Sequence, residues 1–562
     1  MAQEDFPIRK EAVEHFAEVN RRQWSKDAAK TEEKYVFVNL SMVRMQMAWV
    51  VPKLLYAKGV ADTLGAKVIV ITWREQPLLD EVCDSYGFTH YCIEKEDKKN
   101  LRFFAKALTK VLFFMLRDGT GSGLQKMKIP VDLPGGKSLK RLKAGAGSPK
   151  QSLGAEEYNA GRAIYEDILR TSELSTIRSA RNKICIKKAT HILWMFYTLQ
   201  AYCKKHPPVF ALADDAAYHE ALISSLFRSC GAKVINSNQE QEMVLGFDDN
   251  GNPNRMHLMM QKKYREMIDD LGDKEVERAE QILEERFRGK NGRDIDRGAF
   301  KDKRVLTREE AVEELHLDPK KKNVVIMAHT FTDAVYNYGD LFYRDYYDWT
   351  ENTLALAAKN DKVNWILKPH PTRSAYHESQ DSIEDMFARY KKDNMFFLSD
   401  EFSAESIKNL ADVLITIGSN AGGEFSVVGI PTVIVGKPFY GNLGFTIEPA
   451  TKKGYEDCLM NIQDVKPLSE EQIRTAKKAF YLRNHYGPAI LGTKYDDEFG
   501  SLVNEQYNHM GNKMALAYFE SNRGTEKYNT QITENITEYM EQHDMKTCKY
   551  YTQGVLRAKE IS

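Results

Sequence analysis

The chain is poor in cysteine, has no long hydrophobic run and carries no net charge. Only seven cysteines occur in 562 residues (Cys83, Cys92, Cys185, Cys203, Cys230, Cys458 and Cys548), an odd number without a CxxC pair. That excludes a disulfide framework or a zinc site and predicts reduced, packed thiols. No stretch of about 18 uncharged apolar residues is present, so no helix is expected to span a bilayer. The opening Met-Ala-Gln-Glu-Asp lacks the cationic start and apolar core of a signal peptide, which points to a cytoplasmic chain. Eighty Lys+Arg against eighty Asp+Glu argue against a dedicated nucleic-acid binder. HExxH, GxSxG, EF-hand, GxGxxG and Walker patterns are absent, which sets aside metalloproteases, serine hydrolases, NAD enzymes and P-loop ATPases.

What is present is alternation. Short β-rich runs at 35–40, 68–72, 209–213 and 231–235 alternate with helical stretches, and so do runs at 323–327, 364–367, 395–398, 413–416 and 432–435. This pattern predicts βαβ units and parallel sheets. The expected fold is α/β, with two Rossmann-like domains facing a cleft and a helical C-terminal extension. The expected boundaries are an N-terminal arm at 1–33, a first domain at 34–254, a helical connector at 255–320, a second domain at 321–466 and a helical tail at 467–562. Residues 101–150 hold 11 Lys+Arg against 2 Asp+Glu, so the neutral whole hides a basic block. Its helix, 101–116, reads as a core helix, and 117–153 as a basic insertion.

Ligands of open α/β sheets bind at the carboxyl ends of strands, so the strand ends carry the candidates. In Lys368-Pro369-His370-Pro371 the prolines stiffen a turn that holds His370, beside Lys368, where it suits a phosphate leaving group. A rigid turn with a surface histidine explains the same residues. Gly418-Ser419-Asn420-Ala421-Gly422-Gly423-Glu424 is a small-residue turn into a helix, where backbone N–H groups and the Ser419 hydroxyl can meet an anion. Ordinary N-capping by Ser419 or Asn420 is the alternative. Lys437 in Gly436-Lys437-Pro438-Phe439-Tyr440 can reach a phosphate, and Tyr440 a sugar or base. Asp215 and Asp333 are candidate carboxylate bases, although Asp is also a routine helix cap.

The order Asp333, Lys368-Pro369-His370-Pro371, Gly418-Ser419, Glu424, Gly429-Ile430-Pro431 and Gly436-Lys437-Pro438-Phe439-Tyr440 resembles the GT-B glycosyltransferases of capsule polysaccharide synthesis, relatives of the bacterial Kdo transferases. The likeness covers roughly 320–460; Gly161–Arg170 is more loosely similar to a segment of that family. The resemblance implies a nucleotide-sugar donor, CMP-linked in one reading, held by the second domain, and a glycan or glycolipid acceptor held by the first. It implies donor-phosphate contacts at His370, Ser419 and Asn420, with Gly422 in the substrate-binding set and Glu424 on a ribose or donor hydroxyl within the first helical turn. His370 and Asp215 are the catalytic candidates, and Lys368, Lys437, Tyr440 and Asp333 complete the binding set. Neither metal nor cofactor is needed where helix dipoles and cations stabilise the leaving phosphate. Lipid-linked acceptors also imply peripheral contact with a membrane. A UDP-sugar 2-epimerase, a polyol-phosphate transferase and a nonenzymatic glycan-assembly scaffold are the alternatives.

Overall fold

The structure, a computed structural model, describes residues 8–24, 33–41, 47–96, 99–116, 119–130, 157–213, 217–237, 242–244, 256–288, 303–336, 338–371, 381–399, 401–485 and 526–561. The described residues cluster into two compact units. The first draws on Met1–Ile168, Arg178–Pro253 and Leu491–Ser562, the second on Leu169–Ile177 and Asn254–Ile490.

The first unit is built on β1 (Tyr35–Asn39), β2 (Lys67–Thr72), β3 (Thr89–Cys92), β6 (Pro208–Ala213), β7 (Lys233–Ser237) and β8 (Glu242–Val244). They form one six-stranded sheet in the order β3-β2-β1-β6-β7-β8. All pairs are parallel except β7 with β8. A separate hairpin joins β4 (Lys128–Pro130) and β5 (Glu157–Asn159). The central strands β1, β2 and β6 are almost uninterrupted apolar runs, as a sheet covered on both faces requires. Val36, Val38, Val68, Val70, Phe210 and Leu212 pack against helices from both ends of the chain, through Phe16, Ile532, Ile536 and Tyr550.

The second unit repeats the plan with β9 (Asn323–Met327), β10 (Asn364–Lys368), β11 (Met395–Phe397), β12 (Val413–Thr416), β13 (Thr432–Ile434) and β14 (Thr446–Ile447). Its order is β11-β10-β9-β12-β13-β14, parallel throughout. Val324, Ile326, Trp365, Ile415 and Val433 line one face with Trp349 and Tyr455. Val325, Ile366 and Leu414 line the other with Leu398, Ile407 and Phe425. In each sheet the chain reverses direction of growth beside its first strand, between β1 and β6 and between β9 and β12. These switch points are where carboxyl ends open to a ligand.

The expected boundaries change in three places. The N-terminal arm contains the helix Lys10–Trp24, whose Val13, Phe16 and Ala17 are fully buried in the first unit. The connector is no connector: Met260, Tyr264, Ala279, Leu283 and Phe287 share a core with Phe439, Tyr440, Ala476 and Phe480 of the second unit. The tail divides, with Glu470–His485 in that second core and helices Glu526–Gln542 and Lys549–Ile561 on the first unit. Glycines explain the last docking. A Cβ on Gly59 would lie 2.2 Å from the Tyr551 carbonyl oxygen, and one on Gly554 would lie 2.1 Å from that of Tyr56, so helices Met47–Leu64 and Lys549–Ile561 cross backbone to backbone. Charge and polarity across 526–561 masked this packing, because long-range contact leaves no local periodic signal.

All seven cysteines are free, five of them buried. No described helix is long and apolar enough to cross a membrane. The basic insertion at 117–153 falls largely outside the described residues.

Candidate functional site

At the switch point of the second sheet, β9 leads into Ala328-His329-Thr330. Its neighbours β10 and β12 lead into His370 and Ser419. The His329 ring packs 4.3 Å from Tyr346, 5.5 Å from His370 and 5.8 Å from Tyr338, centroid to centroid. Its Nδ1 lies 3.9 Å from the Asp333 carboxylate. Burial pulls the His329 pKa below its ordinary value, and Asp333 only partly opposes that shift. Among the described residues, His329 Nδ1 and Thr330 Oγ1 are buried without a hydrogen-bond partner. Two orphaned polar atoms at one strand end are expensive unless a ligand or water meets them.

Ser419 is the N-cap residue of the helix Asn420–Val427, but its hydroxyl makes no capping bond. Instead its Oγ lies 3.0 Å from Thr416 Oγ1. The Ser419 carbonyl accepts from the Tyr440 hydroxyl at 2.6 Å and from the Gly422 N–H at 3.0 Å. A Cβ on Gly422 would stand 2.2 Å from the Tyr440 hydroxyl, so glycine is required for this bond. Tyr338 lies over Gly418 and Gly436, whose added Cβ atoms would meet it at 2.9 and 2.7 Å, and its carbonyl accepts the Lys437 N–H at 2.7 Å. The Lys437 side chain is exposed and Asn420 is half-buried.

The predicted residues therefore divide. His370, Ser419, Lys437 and Asp333 stand in the loops after the strands' carboxyl ends, and Asn420 and Gly422 lie in the first turn of the helix that follows β12. Three others take different places. Tyr440 is fully buried with its burial-raised hydroxyl on Ser419, so it positions that loop instead of facing a sugar or base. Lys368 is buried and donates to the Ser399 carbonyl at 2.9 Å. Glu424 is the fifth residue of its helix, beyond the first turn, and pairs with Arg286 Nε at 2.7 Å, both side chains nearly buried. His329, Thr330 and Tyr338 were not singled out; the glycines at 418 and 436, which make room for an aromatic ring, were the available signal.

Asp215 lies outside the described residues. Close to it in sequence, the first sheet's switch point holds a group of buried acids that the sequence did not reveal. His219 Nδ1 lies 2.6 Å from Asp167. On its other side, His219 Nε2 is 3.5 Å from Ser41 Oγ and 3.6 Å from Glu220. Glu220 accepts from both Ser41 and Asn39, while Glu166 accepts the Tyr218 N–H at 3.1 Å. Tyr218 holds φ +55°, a left-handed value that is strained for a bulky side chain. Burial works against charging His219, but Asp167 and Glu220 outweigh it and hold the pKa above its ordinary value. Trp73 meets His219 edge-on at 4.6 Å and stacks on His191 at 4.5 Å. Burial, with help from Arg74, pushes His191 down to about 4. Glu166-Asp167 and His219-Glu220 are far apart in sequence and both sit on amphipathic helices, so they read as surface charge.

Residues 295–457 match the model of a family described as capsule polysaccharide biosynthesis protein. No curated protein matches by sequence. Similar solved structures include the beta Kdo 2,4 transferase of Thermosulfurimonas dismutans KpsC, at 14% identity over 48% of this chain and 79% of that one, TM-score 0.31. The beta Kdo 2,7 transferase of the same protein gives 14% identity over 50% and 79%, TM-score 0.28. A glycosyltransferase from Rickettsia africae gives 10% identity over 91% and 99%, TM-score 0.21. Likenesses this distant say nothing of activity here. The family match covers β9 to β14, the sheet that carries His329, His370, Ser419 and Lys437.

Proposed function

We propose that the protein is a glycosyltransferase of surface-polysaccharide assembly, moving a sugar from a nucleotide-sugar donor to a glycan or lipid-linked acceptor. One observation carries this reading: the orphaned His329 and Thr330 polar atoms lie at a switch point flanked by His370 and by the Ser419 helix start. A leaving nucleotide phosphate develops negative charge as its bond to the anomeric carbon breaks. Fixed donors answer that charge without reorganising: the N–H groups opening Asn420–Val427, the Ser419 hydroxyl and the Lys437 ammonium. His370, when protonated, adds a donor to the leaving oxygen. Tyr338 offers the ring against which a nucleoside can stack. No metal is required for this stabilisation, so activity is expected to survive a chelator.

The acceptor hydroxyl must lose a proton. Asp215 and the His219–Asp167 pair are the acid–base candidates of the first unit; Asp167 fixes the ring so that Nε2 faces Ser41. Asp215→Asn and His219→Gln, compared for transfer rate with donor binding intact, separate the two. A CMP-linked sugar is the first donor to try, and the inner face of the cytoplasmic membrane is the place where a lipid-linked acceptor would be met.

The test is thermal shift with CMP, CDP, UDP, GDP and ADP on the wild type, Ser419→Ala and His370→Ala. A ligand that binds only the native state raises Tm as its concentration passes Kd. One nucleotide is expected to stabilise the wild type and to lose its effect in the variants. No shift with any nucleotide at millimolar concentration, together with intact assembly partners in His370→Ala cells, would replace the enzyme reading with a scaffold.

A further inference from the structure

The basic block contains a surface that a core helix does not explain. The helix Lys99–Met115 buries Ala105, Leu108, Thr109 and Leu112, packing along the helix Lys183–Cys203. Its outward side is not simply polar. Phe103 is 68% exposed and Phe114 78%, with exposed Lys106 and Lys110 between them. Eleven positions at about 100° each return Phe114 to within about 20° of Phe103, and Lys110 falls on the same line. The two rings therefore stand about 16 Å apart on one face and can enter one plane together. No Asp or Glu occurs in the helix. Arg102, at its edge, is held 4.3 Å over the Trp194 ring.

We propose that this face docks on an anionic lipid bilayer, the helix lying in the headgroup plane. Phe103 and Phe114 insert beside the acyl chains, while Lys106 and Lys110 run their stems past the rings and meet lipid phosphates. The pattern fits lipid better than a second copy of the chain. Two such faces brought together would set lysine against lysine, whereas their apolar area is only two separated rings. The proposal rests on the reading of a lipid-linked acceptor and supplies the surface that brings the enzyme to it.

Co-sedimentation of the full chain with phosphatidylglycerol–phosphatidylcholine vesicles, against pure phosphatidylcholine, tests it. The wild type is expected to pellet with the anionic vesicles and to be released by salt. Phe103→Ser/Phe114→Ser and Lys106→Glu/Lys110→Glu should each lower partitioning at least about tenfold. All four positions are exposed, so circular dichroism should show unchanged folding. Variants that bind like the wild type, or a wild type that ignores anionic vesicles, would overturn the proposal. So would a dimer that the phenylalanine variant dissociates, because the face then belongs to a second copy. Nucleotide thermal shifts of the same variants should equal the wild type, which keeps failure here distinct from failure of the glycosyltransferase reading.

Discussion

The two units share a strand order but treat the histidine at their switch points in opposite ways. In the first, His219 lies between Asp167 and Glu220 and is held above its ordinary pKa. In the second, His329 lies among Tyr346, Tyr338 and His370, and burial holds it below its ordinary value. One fold thus offers an imidazole whose charged form is favoured by paired carboxylates and an imidazole whose neutral form is favoured by burial. The first suits proton exchange with a hydroxyl; the second suits hydrogen bonding to a phosphate or sugar oxygen. Topology chose the place, and neighbours of each ring chose the chemistry.

The comparison can be broken most forcefully at Arg286. Arg286→Ala should remove the cation from the nearly buried Arg286–Glu424 pair, costing about 3–5 kcal/mol in the second unit alone, seen by calorimetry as one lowered transition. An unchanged transition would mean that Glu424 is solvated or differently paired. Next, Gly59→Ala should force the crossing helices apart and cost about 1–3 kcal/mol, this time in the first unit, with Gly554→Ala acting alike. Limited proteolysis should then release 526–561 first. If the 549–561 helix stays protected, the crossing is not as close as described. Tyr440→Phe is smaller, about 1 kcal/mol for one buried hydrogen bond. It should weaken nucleotide binding more than it lowers Tm, since it loosens the Ser419 loop. Equal loss of both would reduce Tyr440 to a packing residue.

The smallest effects are the most specific to the comparison. His219 binds its proton more tightly when folded, so its stabilisation is complete below the unfolded value of about 6.5 and is lost as pH rises through the folded pKa. His329 binds its proton less tightly when folded, so stability falls as pH drops below about 6.5. His191 acts in the same direction as His329, between about 6.5 and about 4. Urea titrations across pH should show His219→Gln flattening the loss above about 6.5 and His329→Gln flattening part of the loss below it. A His219→Gln profile parallel to the wild type would show that the carboxylates do not hold its proton.

How much of this was readable from the residues depends on how local the cause was. The nine β-rich runs became strands because each is a continuous apolar segment whose burial on both faces is written in its own composition. β3, Thr89–Cys92, was missed because its mixed polar sequence becomes a strand only by pairing with β2. Lys368-Pro369-His370-Pro371 and Gly418-Ser419 were visible as strand ends because proline and glycine mark turns wherever they stand. Tyr440 and Glu424 were misplaced since a residue type does not say which neighbour it meets.

The sequence by itself determined the alternating α/β plan, the free thiols and the strand ends that carry the candidate residues, because periodicity and turn chemistry act over a few residues. Tertiary structure alone decided that the chain's two ends share a core, that Arg286 claims Glu424, and that Asp167 and His219, 52 residues apart, meet. Those outcomes depend on crossovers and helix packing that bring distant segments together, and on the burial and neighbouring carboxylates that then shift each histidine up or down.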